Sequence, residues 1–375
     1  MADELNLSKV APNGYVKVVL DTSVYEAAIA RIRACFTDYE HVIVNVSGGK
    51  DSTALMHLAL EVAEDLGKLP LDVRFFDEEL LDPESLAYMA RVSQRDDVTM
   101  HWYCVPLLHT VSSDSRGSWV CWEPGVAWAR EMPAGAITDI PGWGMDTINA
   151  GPLESVFGVG GASPYALRAL YGDDLSSVCV LVGVRVQEAF NRRRGIFFSR
   201  GFITHNKSYV YAKPIYDWET DDVWRYILNN GFDVSAHYAN LRKVGISLHH
   251  QRVAAWGNVS TRETGILSGL YPDFWERAIR RMPELDSHAR YKDTSLYRRA
   301  SGKPPGVTWQ QYTFMLIDQL EGDTRAWAIK EVEGYLRRWG KVSQAPFPED
   351  HAELNCWKRV ASAIAKHDVT PRTKT

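Results

Sequence analysis

Cysteine is scarce in this chain of 375 residues. There are five, Cys35, Cys104, Cys121, Cys179 and Cys356, widely spaced and without a CxxC pair. That pattern argues against a disulfide framework and for reduced, intracellular thiols. No run approaches the ~20 apolar residues of a membrane span. The first residues, MADELNLSKVAPNGY, lack the apolar core of a secretory signal, so a cytoplasmic protein is expected. Neither sign of charge dominates: 42 Lys and Arg stand against 47 Asp and Glu, a net charge of -5. This balance excludes a nucleic-acid binder that uses its whole surface but leaves room for a local basic groove. The main basic cluster is Arg192, Arg193 and Arg194 with Arg200. Internal repeats and low-complexity tracts are lacking too.

Tryptophan, by contrast, is frequent, with thirteen residues, several beside Pro or Gly. Packed loops are expected as well as core. The length suits one large α/β domain and a smaller region.

Hydrophobic periodicity gives the order of elements. Val24, Ala28, Ile32 and Cys35 fall on one helical face within residues 22–36. HVIVNVS follows as a buried, β-branched strand. Residues 51–66 predict a helix, LDVRFFD a second strand, residues 84–94 a helix and VTMHWYCVPL a third strand. This β-α-β-α-β order predicts a parallel sheet with crossover helices. An irregular stretch rich in Gly, Pro and Trp runs from about 109 to 164 and reads as an insertion. SVCVLVGVR is a fourth strand, VYAKPIYDW an edge strand or extended lead-in, and the chain from 236 is mostly helical. The expected division is an α/β domain over 1–235 and a helical region over 236–375.

The first strand ends in VSGGKDS, residues 46–52, and runs into a helix. Gly48 and Gly49 allow a tight turn and close approach of a ligand. The free N–H groups at the helix start and its dipole favour an anion there. Ser47 and Ser52 add hydroxyls and Lys50 a cation. Asp51 makes sense if Mg²⁺ stands between it and phosphates. The spacing fits neither a Walker A loop nor a Rossmann glycine fingerprint.

SGGKDS after a hydrophobic strand resembles the PP-loop of the N-type ATP pyrophosphatases. That superfamily includes phosphoadenosine phosphosulfate (PAPS) reductases and the small subunit of ATP sulfurylase. GVRVQEAFNRRRG, residues 183–195, resembles the family pattern G-[IV]-R-x-x-E-S-x-x-R, with Arg185, Glu188 and Arg192 in place and Ala189 replacing Ser. KPIYDWETDDVW resembles a structural segment of the same proteins, in which Thr220 is a candidate helix cap. HWYCVPL, SWVCWEPGVAWAREMP and LHHQRVAAWGN resemble a PAPS reductase-like branch, common on phages and plasmids and often encoded beside a ParB-like protein.

The resemblance implies a PP-loop adenine-nucleotide alpha-hydrolase-like fold, with a mostly parallel five-stranded sheet flanked by helices. It implies ATP, or PAPS or adenylylsulfate, bound with Mg²⁺ through Ser47, Gly48, Gly49, Lys50, Asp51 and Ser52. Asp77, in FFDEE at the end of the second strand, is the candidate second metal ligand, with Glu79 behind it. Arg185, with Glu188, would orient an anionic group. His249, His250 and Arg252 are candidates to face the groove.

The expected chemistry is adenylyl transfer with release of pyrophosphate, in sulfur activation or nucleic-acid modification, which leaves nucleic acid open as an acceptor and a homo-oligomer open as the assembly. Lys50, Asp51 and Arg185 would be catalytic. Thiol-dependent PAPS reduction is an alternative. However, the E-C-G-[IL]-H motif of true PAPS reductases is absent, and Cys356 in ELNCWKR is more simply a packed thiol. The paired cysteines of iron–sulfur adenylylsulfate reductases are absent as well, so no cluster is expected. A non-catalytic nucleotide sensor acting with a ParB-like partner is a further alternative. His101, Cys104, His109 and Cys121 have a spacing zinc can accept, but strand alternation sends His101 and Cys104 to opposite faces.

Overall fold

The first strand, β1 (His41–Val46), lies in the middle of a six-stranded sheet with β2 (Leu71–Phe76) on one side and β6 (Val178–Val182) on the other. The computed structural model describes residues 21–110, 118–188, 201–206, 208–254, 256, 261–283, 285–286, 306–318, 320, 322–340, 343–350 and 355–365. Contacts divide these into two compact units, one running from Asp21 to Ala289 and the other containing the residues from Arg290 onward.

In the larger unit the strand order is β3-β2-β1-β6-β8-β7, with β3 (Val98–Tyr103), β7 (Ile203–His205) and β8 (Val210–Ala212). All neighbours run parallel except β7, which pairs antiparallel with β8. The expected sheet had five strands; β7 is the addition, and its three residues carry too little pattern to be read alone.

Helix α1 (Val24–Asp38) opens with a capping box, Ser23 with Glu26. Helix α2 (Lys50–Asp65) returns the chain from β1 to β2. It is buried on nearly every side, with Ala54, Leu55, Leu58, Ala59, Val62 and Ala63 fully enclosed. Asp82 caps α3 (Pro83–Ser93) by accepting Ser85 N–H at 2.9 Å, and Pro83 takes the first helical position, where no N–H is needed.

The expected insertion is structured. β4 (Leu107–Thr110) and β5 (Ser118–Cys121) form an antiparallel hairpin. Two short helices follow, α4 (Met145–Ala150) and α5 (Leu153–Val156), and then α6 (Gly158–Tyr171), a helix that the Gly-rich sequence concealed. Leu167 of α6 packs with Ile43, Val178 and Val180 on the sheet face opposite α2.

Beyond β8 come α7 (Thr220–Asn229), α8 (His237–Lys243), a short 3-10 turn over Leu248–His250, α9 (Thr261–Leu270) and α10 (Pro272–Arg281). The expected helical region from 236 therefore does not separate there by contacts. Trp256 N–H donates to Leu80 C=O at 2.8 Å and Arg281 reaches Glu79 at 2.9 Å, so the described residues from 236 to 286 stay with the sheet.

The other unit contains α11 (Trp309–Asp318), α12 (Gly322–Gly340) and α13 (Trp357–Ala365). Ile317, Ala328, Val332, Trp357, Val360 and Ile364 form its core.

Candidate nucleotide site

β1 and β6 are neighbours whose onward connections leave in opposite directions. β1 leads through α2 to β2, whereas β6 leads toward β8 on the far side. In an open parallel sheet such a switch point opens a crevice at the carboxyl ends of the strands. Ser47, Gly48 and Gly49 follow β1 at that edge, and Gly183, Val184 and Arg185 follow β6.

The turn is held by its own hydroxyls. Ser52 Oγ accepts Ser47 N–H at 3.1 Å and donates to Gly49 C=O at 2.9 Å. Gly48 has φ +75°, the left-handed region where a side chain is strained, and packs against Met89 and Ser85 of α3. Gly49 is the N-cap residue of α2 and has no side chain to offer the orphan donors. Tyr238 of α8 takes that role for Lys50, whose N–H donates to the phenol oxygen at 2.6 Å.

Lys50, Asp51 and Arg185 come together, as expected, but they are turned toward one another. Arg185 Nε donates to Asp51 Oδ1 at 2.7 Å, and Lys50 Nζ stands 3.3 Å from Asp51 Oδ2 and 3.3 Å from the carbonyl of Gln251. Two cations on one carboxylate leave the first turn of α2 net positive, which favours an anion. Arg185 is only 2% exposed. Its remaining bonds run to Gln187, Trp218 C=O and Thr220 Oγ1, so it also anchors the start of α7. Glu188 folds back to accept Arg185 N–H at 3.2 Å. Thr220 lies inside the first turn of α7 instead of capping it; Glu219 precedes the helix, and its N–H is accepted by Asp222 at 2.8 Å.

Asp77 and Glu79 are fully buried and belong to a different construction. One Asp77 oxygen accepts Glu79 N–H at 3.0 Å and pairs with Arg130; the other accepts Trp102 Nε1–H at 3.0 Å. Glu79, at φ +63°, accepts Trp122 N–H at 2.8 Å, Ala129 N–H at 2.9 Å and Arg281 Nε at 2.9 Å. These carboxylates lock the chain after β5 and the end of α10 onto the end of β2.

The donor set does not fit magnesium held by Asp51 and Asp77, because N–H groups and guanidinium groups already occupy both carboxylates. Among the described residues, no group of three His, Cys, Asp or Glu is arranged to hold a metal ion. His101 pairs with Asp72 at 2.8 Å, and Cys104 lies 3.8 Å from Asp77.

All five cysteines are buried. Burial, with Asp77 close by, pushes the Cys104 thiol up, and burial does the same to Cys121. His249, His250 and Arg252 are exposed on the loop that carries Gln251. The cluster Arg192, Arg193, Arg194 and Arg200, with Ala189, lies outside the described residues. Tyr238 and Gln251, which sequence reasoning missed, reach the turn from 188 and 201 residues away. The only local signal near them was the LHHQRV stretch.

Residues 162–246 match the family model of the phosphoadenosine phosphosulfate reductase domain. This stretch is PAPS reductase-like. It holds Gly183, Arg185, Glu188 and Tyr238 but not the SGGKDS turn. Residues 245–345 match a domain of unknown function, DUF3440. The uncharacterized protein YbdN of Escherichia coli (strain K12) is 25% identical over 94% of this chain and 90% of its own length.

Among solved structures, PAPS reductase from Candida auris in a phosphate complex is 13% identical, covering 66% of this chain and 100% of that one, with a TM-score of 0.36. Candida glabrata FMN adenylyltransferase is 13% identical over 59% of this chain, with a TM-score of 0.35. The match covers 62% of that enzyme, less than two thirds of its length. No helix among the described residues is long and apolar enough to cross a membrane.

Proposed function

We propose that the turn from Ser47 to Ser52 binds the phosphates of ATP or a related adenine nucleotide, and that the chain transfers an adenylyl group with release of pyrophosphate. The observation that carries this reading is the position of the turn. It lies at the switch point of the sheet, at the N-terminus of a 16-residue helix, with Lys50 at the first helical position.

In the proposed reaction a nucleophile on the acceptor attacks the α-phosphorus, and the bond to the pyrophosphate oxygen breaks. Negative charge gathers on the departing pyrophosphate. The N–H groups of α2 and the Lys50 ammonium are placed to stabilise it, which needs no protein nucleophile. Arg185 acts here as a positioning residue: by pairing with Asp51 it fixes the first turn of α2. The burial of all five thiols weighs against the reductive alternative. Sulfur activation and nucleic-acid modification are the settings this chemistry fits.

The test is turnover. Purified protein is incubated with magnesium and either ATP or PAPS, with candidate acceptors, and pyrophosphate, AMP and sulfite are followed. Pyrophosphate from ATP, lost in Lys50→Ala, is the expected result. Sulfite from PAPS would replace this reading with reduction. Nucleotide binding without any product would leave a sensor.

A further inference from the structure

We propose that Tyr238 is a built-in phosphate mimic: its phenol oxygen holds the Lys50 N–H until a nucleotide phosphate displaces it. This rests on the nucleotide reading above and adds a gate to it. At a helix N-terminus the orphan N–H groups are the anion-binding element. Here one of them is already spent on a hydroxyl 2.6 Å away. The same residue lies against the turn, since a Cβ on Gly49 would meet the Tyr238 oxygen at 3.6 Å and Val253 at 4.0 Å, in ordinary contact. Gln251 C=O engages the Lys50 ammonium from the same segment. The stretch from Tyr238 to Val253 thus covers both the amide and the side chain of Lys50.

Tyr238 is buried, and burial raises its pKa, so the phenol is neutral. A neutral acceptor is weaker than an anionic one at such a donor, where charge assistance roughly doubles the bond. Phosphate can therefore compete for the position.

The surroundings of Tyr238 are incompletely paired. The ring of Trp224 stands edge-on to Tyr238, with centroids 5.0 Å apart. Its Nε1–H is buried without a hydrogen bond, and so is Gln251 Oε1. Unpaired buried polar atoms are costly. One lies on the ring against Tyr238 and the other on the residue whose backbone carbonyl meets Lys50.

The experiment measures affinity for ATP with magnesium, and for inorganic pyrophosphate, by calorimetry on the full chain, Tyr238→Phe and Tyr88→Phe. Tyr238→Phe removes only the competing hydroxyl and should bind roughly two- to ten-fold tighter, the worth of one neutral hydrogen bond. Tyr88→Phe removes a buried phenol bonded to Thr53, the fourth residue of the same helix, but leaves the bond from Lys50 N–H to Tyr238 in place, and should bind as the unaltered chain does. Equal or weaker binding by Tyr238→Phe overturns the gate, as does equal tightening by both variants, which would signal a loosened helix.

The unaltered protein gives a second readout. Nitration of Tyr238 should rise on adding pyrophosphate, and protection would count against displacement. If no chain binds either ligand, the nucleotide reading itself falls. Binding by the unaltered chain with no gain in Tyr238→Phe sinks the gate alone.

Discussion

A Cβ atom on Gly183 would stand 2.9 Å from the carbonyl carbon of Asp51, so the chain leaving β6 and the first turn of α2 meet backbone to backbone. Gly183→Ala must push them apart. The expected cost is about 1–3 kcal/mol, as for other overpacked sites, together with weaker nucleotide binding. Urea unfolding and calorimetry check both, and an unchanged variant would contradict this approach.

Arg185 and Asp51 form a pair whose side chains are 3% and 13% exposed. Removing Arg185 leaves Asp51 with Lys50 alone, and removing Asp51 leaves the Arg185 guanidinium buried without a carboxylate. Arg185→Met should cost roughly 3–5 kcal/mol. The double variant Arg185→Met with Asp51→Asn should recover part of that stability without recovering turnover. Equilibrium unfolding of the single and double variants measures the coupling.

Asp77 is scaffold by its contacts. Asp77→Asn should lower stability by about 2–4 kcal/mol, because Arg130 is left without its charge partner. The magnesium concentration needed for nucleotide binding should stay where it was. A shift in that concentration without loss of stability would make Asp77 a metal ligand after all.

The thiols give a direct test of the reductive alternative. All five are buried, so the native protein should react with a thiol reagent only as fast as it opens, and the denatured chain should react in full. Cys356→Ser should leave any turnover intact.

Stability should fall with acid through His57. Its ring stacks on Phe232 with centroids 3.7 Å apart, and burial lowers its pKa to about 4. The unfolded chain, with an ordinary value near 6.5, takes up the proton first as pH falls. The stability held by neutral His57 is therefore complete above about pH 6.5 and drains away toward pH 4. Urea midpoints across that range should drop, and His57→Leu should flatten the slope.

The central strands were legible because a run such as HVIVNV has one reading, and α2 because its apolar residues recur on a helical face. The SGGKDS turn was legible because its glycines and helix start are adjacent in sequence. Helix α6 was not. Its glycines look like loop signals, yet Gly161 is small because the backbone of Val156 and the ring of Trp143 press on it, at 2.6 and 2.8 Å from where a Cβ would be.

Arg185 was found by its motif, but its direction was not. Whether a guanidinium leaves a strand end toward solvent or toward Asp51 depends on a partner 134 residues away. Tyr238 carried no signal for the same reason, and Gln251 only that of the LHHQRV stretch around it. Asp77 misled because an acidic residue at a strand end looks the same whether it meets a metal or Arg130.

The two family matches meet at residues 245 and 246, yet the larger unit runs through that point without a break. Gln251, Trp256 and Arg281 lie beyond it and serve Lys50, Leu80 and Glu79 before it. The second stretch is therefore tied to residues that precede both matches, and through Tyr271 and His237, 2.7 Å apart, to the first match as well. An exchange of genes that replaced only the second would strand Glu79 in the core without its guanidinium and uncover the ammonium of Lys50. Descendants of such a swap would have to relearn both contacts before the turn could work again.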